Sequence, residues 1–219
     1  MNSHSGRPAC NTGDMMNHTT ILRFTRFAAA FLPAALLASA AAAHPGHETH
    51  AGATFLGGLA HPVTGLDHLL AMVAVGVWAY ALGGRALWVV PSIFVMAMAV
   101  AGAAGLAGWQ FALAESGIAL SVLVLGVLIA ATVRVRWEIG AAMVGLFAVF
   151  HGYAHGVEMP ASGSPIAYVT GFLMATALLH AAGVGLGVLA GRLAYTPAVR
   201  VAGGAMAVAG AWMLGGGYI

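Results

Sequence analysis

Beyond residue 60 the sequence is a succession of apolar stretches, each near the roughly 20 residues that an α-helix needs to cross a bilayer core. They fall at about 64–82, 87–107, 112–133, 139–157, 166–191 and 198–215. Only 6% of the 219 residues are charged and 61% are hydrophobic, far from the roughly 25% charge of ordinary globular domains. A soluble enzyme is therefore excluded, and so is disorder past the N-terminal region. The connections are short, which predicts an all-α, polytopic membrane protein with a six-helix transmembrane bundle over 61–219.

The first 43 residues read differently. Arg23 and Arg26 precede the apolar run Phe27 to Ala40, which ends in Ala41-Ala42-Ala43 before His44-Pro45. This is the pattern of a secretory signal peptide, with cleavage expected after Ala43 and a periplasmic, histidine-containing segment over 44–60. An uncleaved anchor helix is the alternative and also places His44 outside; Met15-Met16 offers a second translation start. Cleavage removes Arg7, Arg23, Arg26 and Asp14, and with them the whole net charge of +2. The basic pI near 9.0 thus belongs to the leader. The sole cysteine, Cys10, leaves as well, so the mature chain has no thiolate ligand.

With His44 outside, every remaining arginine (Arg85, Arg134, Arg136, Arg192, Arg200) falls in a cytoplasmic loop, as the positive-inside rule requires of an inner-membrane protein. Trp109, Trp137 and Tyr195 fall near span ends, where amphipathic rings favour the interface. Scattered arginines make no basic patch, so nucleic acid is not a partner. Gly183, Gly187 and Gly191 recur every four residues and predict close helix packing. Met96, Met98, Met174 and Met206 read as apolar filler rather than soft-metal ligands.

Histidine is the most numerous ionisable residue type: ten His against eight Lys+Arg and six Asp+Glu. Ionisable groups inside a span are expensive, on the order of 2.5–3.5 kcal/mol for Asp at mid-bilayer, so each needs a partner or a task. The first group is His61-Pro62-Val63-Thr64-Gly65-Leu66-Asp67-His68, at the outer start of the first span. Pro62 suits a first helical turn, and Gly65 permits a local break. On a regular helix His61 and His68 share a face yet lie ~10 Å apart along the axis, too far to chelate one ion unless the backbone bends.

The second group is Phe150-His151-Gly152-Tyr153-Ala154-His155-Gly156-Val157-Glu158, at the outer end of the fourth span. Positions 151, 155 and 158 follow the i, i+4, i+7 pattern, so two imidazoles and a carboxylate share one stripe. The two spans run in opposite directions, which brings the groups to similar depth on the periplasmic side. Glu115, near the outer end of the third span, matches that depth with no basic residue beside it, which suits a cation partner. His180 lies deeper, in the middle of the fifth span, either bonded to a backbone carbonyl or serving as a lower station on a pathway. A buried polar network that merely pins helices uses similar residues, but it rarely needs this many imidazoles.

The expected mature N-terminus, His44-Pro45-Gly46-His47-Glu48-Thr49-His50, adds three histidines. The α-amine and imidazole of His44 can chelate together, whereas Pro45 has no amide proton for a square-planar amine-and-amide site. The segment is either a weak metal-collecting tail or a soluble spacer. Imidazole and carboxylate donors without thiolate suit Ni²⁺, Co²⁺, Zn²⁺ or Fe²⁺, and not Cu(I). Ligand type alone does not choose among them.

The motifs His-Pro-x-x-Gly-x-Asp-His-Leu-Leu-Ala-Met (61–72) and Phe-His-Gly-x-Ala-His-Gly-x-Glu (150–158) resemble the signatures of the HupE/UreJ family. Glu115-Ser116-Gly117-Ile118 with Ser121, and Leu179-His180, are similar to further family features. The resemblance extends over essentially the whole mature chain. It implies an inner-membrane permease or accessory protein that brings nickel, or cobalt in some relatives, to cells making nickel-iron hydrogenase or urease. It also implies that His61, Asp67, His68, His151, His155 and Glu158 handle the metal, and that hydrogenase or urease maturation proteins are partners.

A Ni²⁺ permease, not an enzyme and without a resident cofactor, is accordingly the leading expectation, with Ni²⁺ or Co²⁺ as cargo. No phosphate-binding loop of the GxxxxGKS type is present, so ATP coupling would need a partner. A non-conducting metal sensor or metallochaperone is the alternative, disfavoured by small cytoplasmic loops. An intramembrane haem protein is a third reading, which a Soret band would reveal; clustered acidic neighbours fit hydrated cations better.

Overall fold

Seven helices make up the described part of the computed structural model, residues 53–194 and 196–217: α1 (Phe55–Thr64), α2 (Leu66–Leu82), α3 (Ala86–Leu106), α4 (Ala114–Ala130), α5 (Trp137–Val157), α6 (Pro165–Arg192) and α7 (Thr196–Leu214). The expected leader, His44, His47, His50 and Tyr195 lie outside the described residues. The all-α expectation holds for the described part, where an isolated bridge between Ala53 and Gly163 is the extent of β pairing. Four helices (α3, α5, α6 and α7) are each long and apolar enough to cross a bilayer. The pair α1 and α2 meets the same test together although bent by 85°, and α4 is a shorter apolar helix of 17 residues.

The start of the first span differs from the sequence expectation. Pro62 lies in the last turn of a separate helix, α1, rather than in the first turn of a span, and the break falls at Gly65. Two local causes combine there. Pro62 has no N–H to give back to the preceding turn, which weakens α1 at its end. The first N–H groups of α2 need partners from outside a helix, and Asp67 Oδ1 accepts that of His68 at 2.7 Å. The other end of α1 is capped by Thr54, whose side chain accepts from the Gly57 N–H at 3.0 Å. Just before α1, the Ala53 carbonyl accepts from Ser164 N–H at 2.7 Å, which ties α1 to the α5–α6 connection.

Helix pairs pack backbone to backbone: α3 on α5, α4 on α7, and both α1 and α2 on α6. A β-carbon at Gly183 would overlap the Val73 carbonyl, and one at Gly152 would overlap the backbone of Met98. The glycine stripe therefore does face a neighbour, with Gly187 and Gly191 bordering the Tyr80 ring on α2. Trp78, Phe94, Met98, Val122, Leu125 and Val144 fill the centre. Met98 and Met206 are core filler, and Met96 and Met174 face outward.

This order of helices places the starts of α2, α4 and α6 and the ends of α3 and α5 at one end of the bundle. All five arginines among the described residues belong to the other end. There Arg200 Nε donates to the Ala130 carbonyl at 2.9 Å, and Arg136 pairs with Glu138 at 2.9 Å. The Trp78 indole N–H donates to Val133 O at 3.0 Å.

Candidate metal centre

The bend at Gly65 folds His61 back over His68. Their ring centroids are 6.5 Å apart, so the separation of about 10 Å expected for one regular helix is replaced by near contact. The end of α5 supplies the rest. His155 sits between the two, with centroids 4.8 Å from His61 and 4.3 Å from His68, and His151 lies 4.9 Å from His68 with the rings perpendicular. The two sequence motifs thus form one cluster at the end of the bundle opposite the arginines.

The outer members of this cluster are exposed and the inner ones buried. The Glu158 side chain is 46% exposed and that of His61 33%, whereas His155, His68 and His151 are buried. His61 Nε2 stands 3.3 Å from Glu158 Oε2. His61, His155 and Glu158 each offer one ligand atom, all within 4.8 Å of one another. Ligand atoms that share one tetrahedral ion at about 2.0–2.2 Å stand about 3.3–3.6 Å apart, so side-chain shifts on the order of an ångström bring the trio to chelating distance.

The i, i+4 pair His151 and His155 divides its roles. His155 belongs to that outer trio, while His151 turns inward to Ser121, with Nε2 and Oγ 2.9 Å apart. Asp67 does not join the trio; its Oδ1 accepts from the His68 ring at Nδ1, 2.8 Å away. A carboxylate behind an imidazole fixes the ring's tautomer and orientation and raises its basicity. That bond puts the ring proton of His68 on Nδ1 and leaves the lone pair on Nε2.

Several ring nitrogens in the cluster are buried with no hydrogen-bond partner among the described residues: His68 Nε2, His151 Nδ1 and both nitrogens of His155. His180, on α6, has both nitrogens in the same state. An unpaired buried polar atom costs about 1–3 kcal/mol, so a row of them is costly unless something completes them. His180 is set apart from the outer rings by Phe94, whose ring is 5.5 Å from His151 and 5.0 Å from His180. Glu115 is exposed in the first turn of α4, close enough to interact electrostatically with Glu158, Asp67 and His68.

Phe94, Phe172 and Tyr168 were not singled out by sequence reasoning. Phe172 packs on His155 at 3.9 Å, and Tyr168 lies 6.0 Å from His61. In apolar runs aromatic residues carry no mark of such neighbours. Ser121 did carry a signal, as a hydroxyl within an apolar stretch, but its partner lies thirty residues away on another helix.

The comparisons with known proteins agree with the motif resemblance. A family described as HupE / UreJ protein matches residues 32–213. Protein HupE of Rhizobium leguminosarum bv. viciae is 49% identical over 185 residues, covering 84% of this chain and 95% of that protein. No solved structure matches. With the family's motifs gathered into one cluster and the match extending from residue 32 to residue 213, the chain belongs to the HupE / UreJ family.

Proposed function

We propose that this protein carries divalent transition-metal ions inward across the cytoplasmic membrane, Ni²⁺ foremost and Co²⁺ next, to supply hydrogenase or urease maturation. The observation that carries this reading is the row of unpartnered buried nitrogens on His68, His151, His155 and His180. Neutral imidazole lone pairs are ligands for borderline divalent ions and poor ones for Mg²⁺ or Ca²⁺. A hydrated ion meets Glu158 and His61 first, exchanges water for carboxylate and imidazole, and is passed to His155. The donors beyond are nitrogen atoms, which discriminates against hard cations.

His180 supports conduction over mere sensing. A sensor needs no second group of unpartnered donors behind a phenylalanine. In this reading α1 and α2 together make one crossing and α4 another, giving six in all. The leader is removed after Ala43, His44 lies in the periplasm, and the histidine cluster faces outward with the arginines inside. Uptake of radioactive nickel by cells expressing the protein tests the function. Accumulation above that of cells with an empty vector, suppressed by excess Co²⁺ and untouched by excess Mg²⁺, is the expected result; no accumulation overturns it.

A further inference from the structure

Ser121 lies on α4 with no exposed surface, in contact with a histidine that is equally buried. Its Oγ is 2.7 Å from the Ile118 carbonyl oxygen and 2.9 Å from His151 Nε2. A hydroxyl has one proton to give and can accept as well. A carbonyl can only accept, so the hydroxyl proton goes to Ile118, and the remaining contact is a hydrogen bond only if His151 Nε2–H donates to Oγ. That assignment puts the ring proton of His151 on Nε2 and the lone pair on Nδ1, the atom with no partner among the described residues.

We propose that Ser121 is a positioning residue that fixes His151 in its Nε2-protonated form, so that Nδ1 is the nitrogen presented to the metal ion. The ion-handling part of this statement rests on the function proposed above; the tautomer does not. Ser121 then does for His151 what Asp67 does for His68, with the opposite ring nitrogen protonated in each. The Ile118 carbonyl is what makes the device directional. Without it the hydroxyl could donate to the ring and leave the proton on Nδ1, the wrong atom for a ligand.

Nitrogen NMR of the full-length protein in lipid bilayers, with ¹⁵N in the histidine rings and the His151 signals assigned by their loss in His151→Gln, distinguishes the two tautomers before any metal is added. The expected wild-type spectrum has a protonated Nε2 and a bare Nδ1. Ser121→Ala is expected to give mixed tautomers and roughly 10- to 100-fold weaker Ni²⁺ binding, the usual effect of losing a partner behind a metal ligand; Ser121→Thr, which keeps the hydroxyl, should restore a single tautomer.

A wild-type His151 protonated on Nδ1 overturns the proposal, and so does a Ser121→Ala protein whose tautomer is unchanged, as expected if the hydroxyl only bends its helix. Should Ser121→Ala fail to fold, Ser121→Gly makes the same comparison with the wild type. An Nε2-protonated His151 that becomes mixed on loss of the hydroxyl, in a protein that binds no Ni²⁺, would uphold the role of Ser121 in setting the tautomer and defeat the transport function instead.

Discussion

His61 Nε2, at the end of α1, lies 3.3 Å from Glu158 Oε2, one residue beyond α5. The contact joins the two sequence motifs at the most exposed point of the cluster, and in the proposed function this pair is where an ion is first held. Glu158→Gln keeps the shape and removes the charge. It should raise the apparent KM for Ni²⁺ uptake severalfold while changing the maximal rate little, because later steps use nitrogen donors. Initial uptake rates over a range of Ni²⁺ concentrations check this; a fall in maximal rate at unchanged KM would place Glu158 elsewhere in the cycle.

In the proposed function Asp67 acts through His68, to which it is hydrogen-bonded. Asp67→Ala removes the acceptor for both the backbone N–H and the ring N–H of His68, and partners of this kind typically carry about 10- to 100-fold in metal affinity. Calorimetric titration of the purified variant with Ni²⁺ should show a loss of that size with helical content preserved. Affinity equal to wild type would mean that the His68 ring needs no orienting group.

Gly65 stands where α1 and α2 meet at 85°. Its φ of −86° is open to any residue, so the backbone alone does not demand glycine. A β-carbon there would lie 3.0 Å from Asp67 Oδ1 and 3.1 Å from His68 Nδ1, so these side-chain atoms must give by a few tenths of an ångström to admit it. Gly65→Val should therefore weaken Ni²⁺ binding by disturbing the Asp67–His68 pair, with little change in thermal stability. Loss of stability with binding intact would show that the crowding is relieved by the helix and not by the pair.

Gly183 gives the converse result. Its substitution by valine forces α6 away from the Val73 carbonyl, and overpacking of this kind costs about 1–3 kcal/mol. A lowered thermal midpoint and a poorly monodisperse protein in detergent are expected. An unperturbed midpoint would indicate that α2 and α6 can separate freely.

The sequence carried much of this arrangement, and the particular residues show where it ran out. His151, His155 and Glu158 share a helical period, and that period put them on one stripe without further help. The arginines marked one end of the bundle and thereby the other. What the one-dimensional pattern could not contain was the angle at Gly65, since a glycine between two apolar segments is compatible with a straight helix or a sharp turn. That angle decides whether His61 and His68 are one centre or two. Phe94 was invisible for a different reason: burial in an apolar run looks the same beside a histidine as beside a leucine. Ser121 and His151 meet only because α4 and α5 pack, a tertiary event with no local trace.

The proposed function requires the histidine cluster to conduct Ni²⁺ and not merely to bind it. Purified wild-type protein and His155→Gln, each reconstituted into vesicles that enclose a nickel-quenched dye, separate conduction from binding. Rapid quenching on external Ni²⁺ is expected for the wild type, and a rate near the protein-free leak for His155→Gln. Wild-type vesicles no faster than protein-free ones, or a variant as fast as the wild type, would contradict the proposed function.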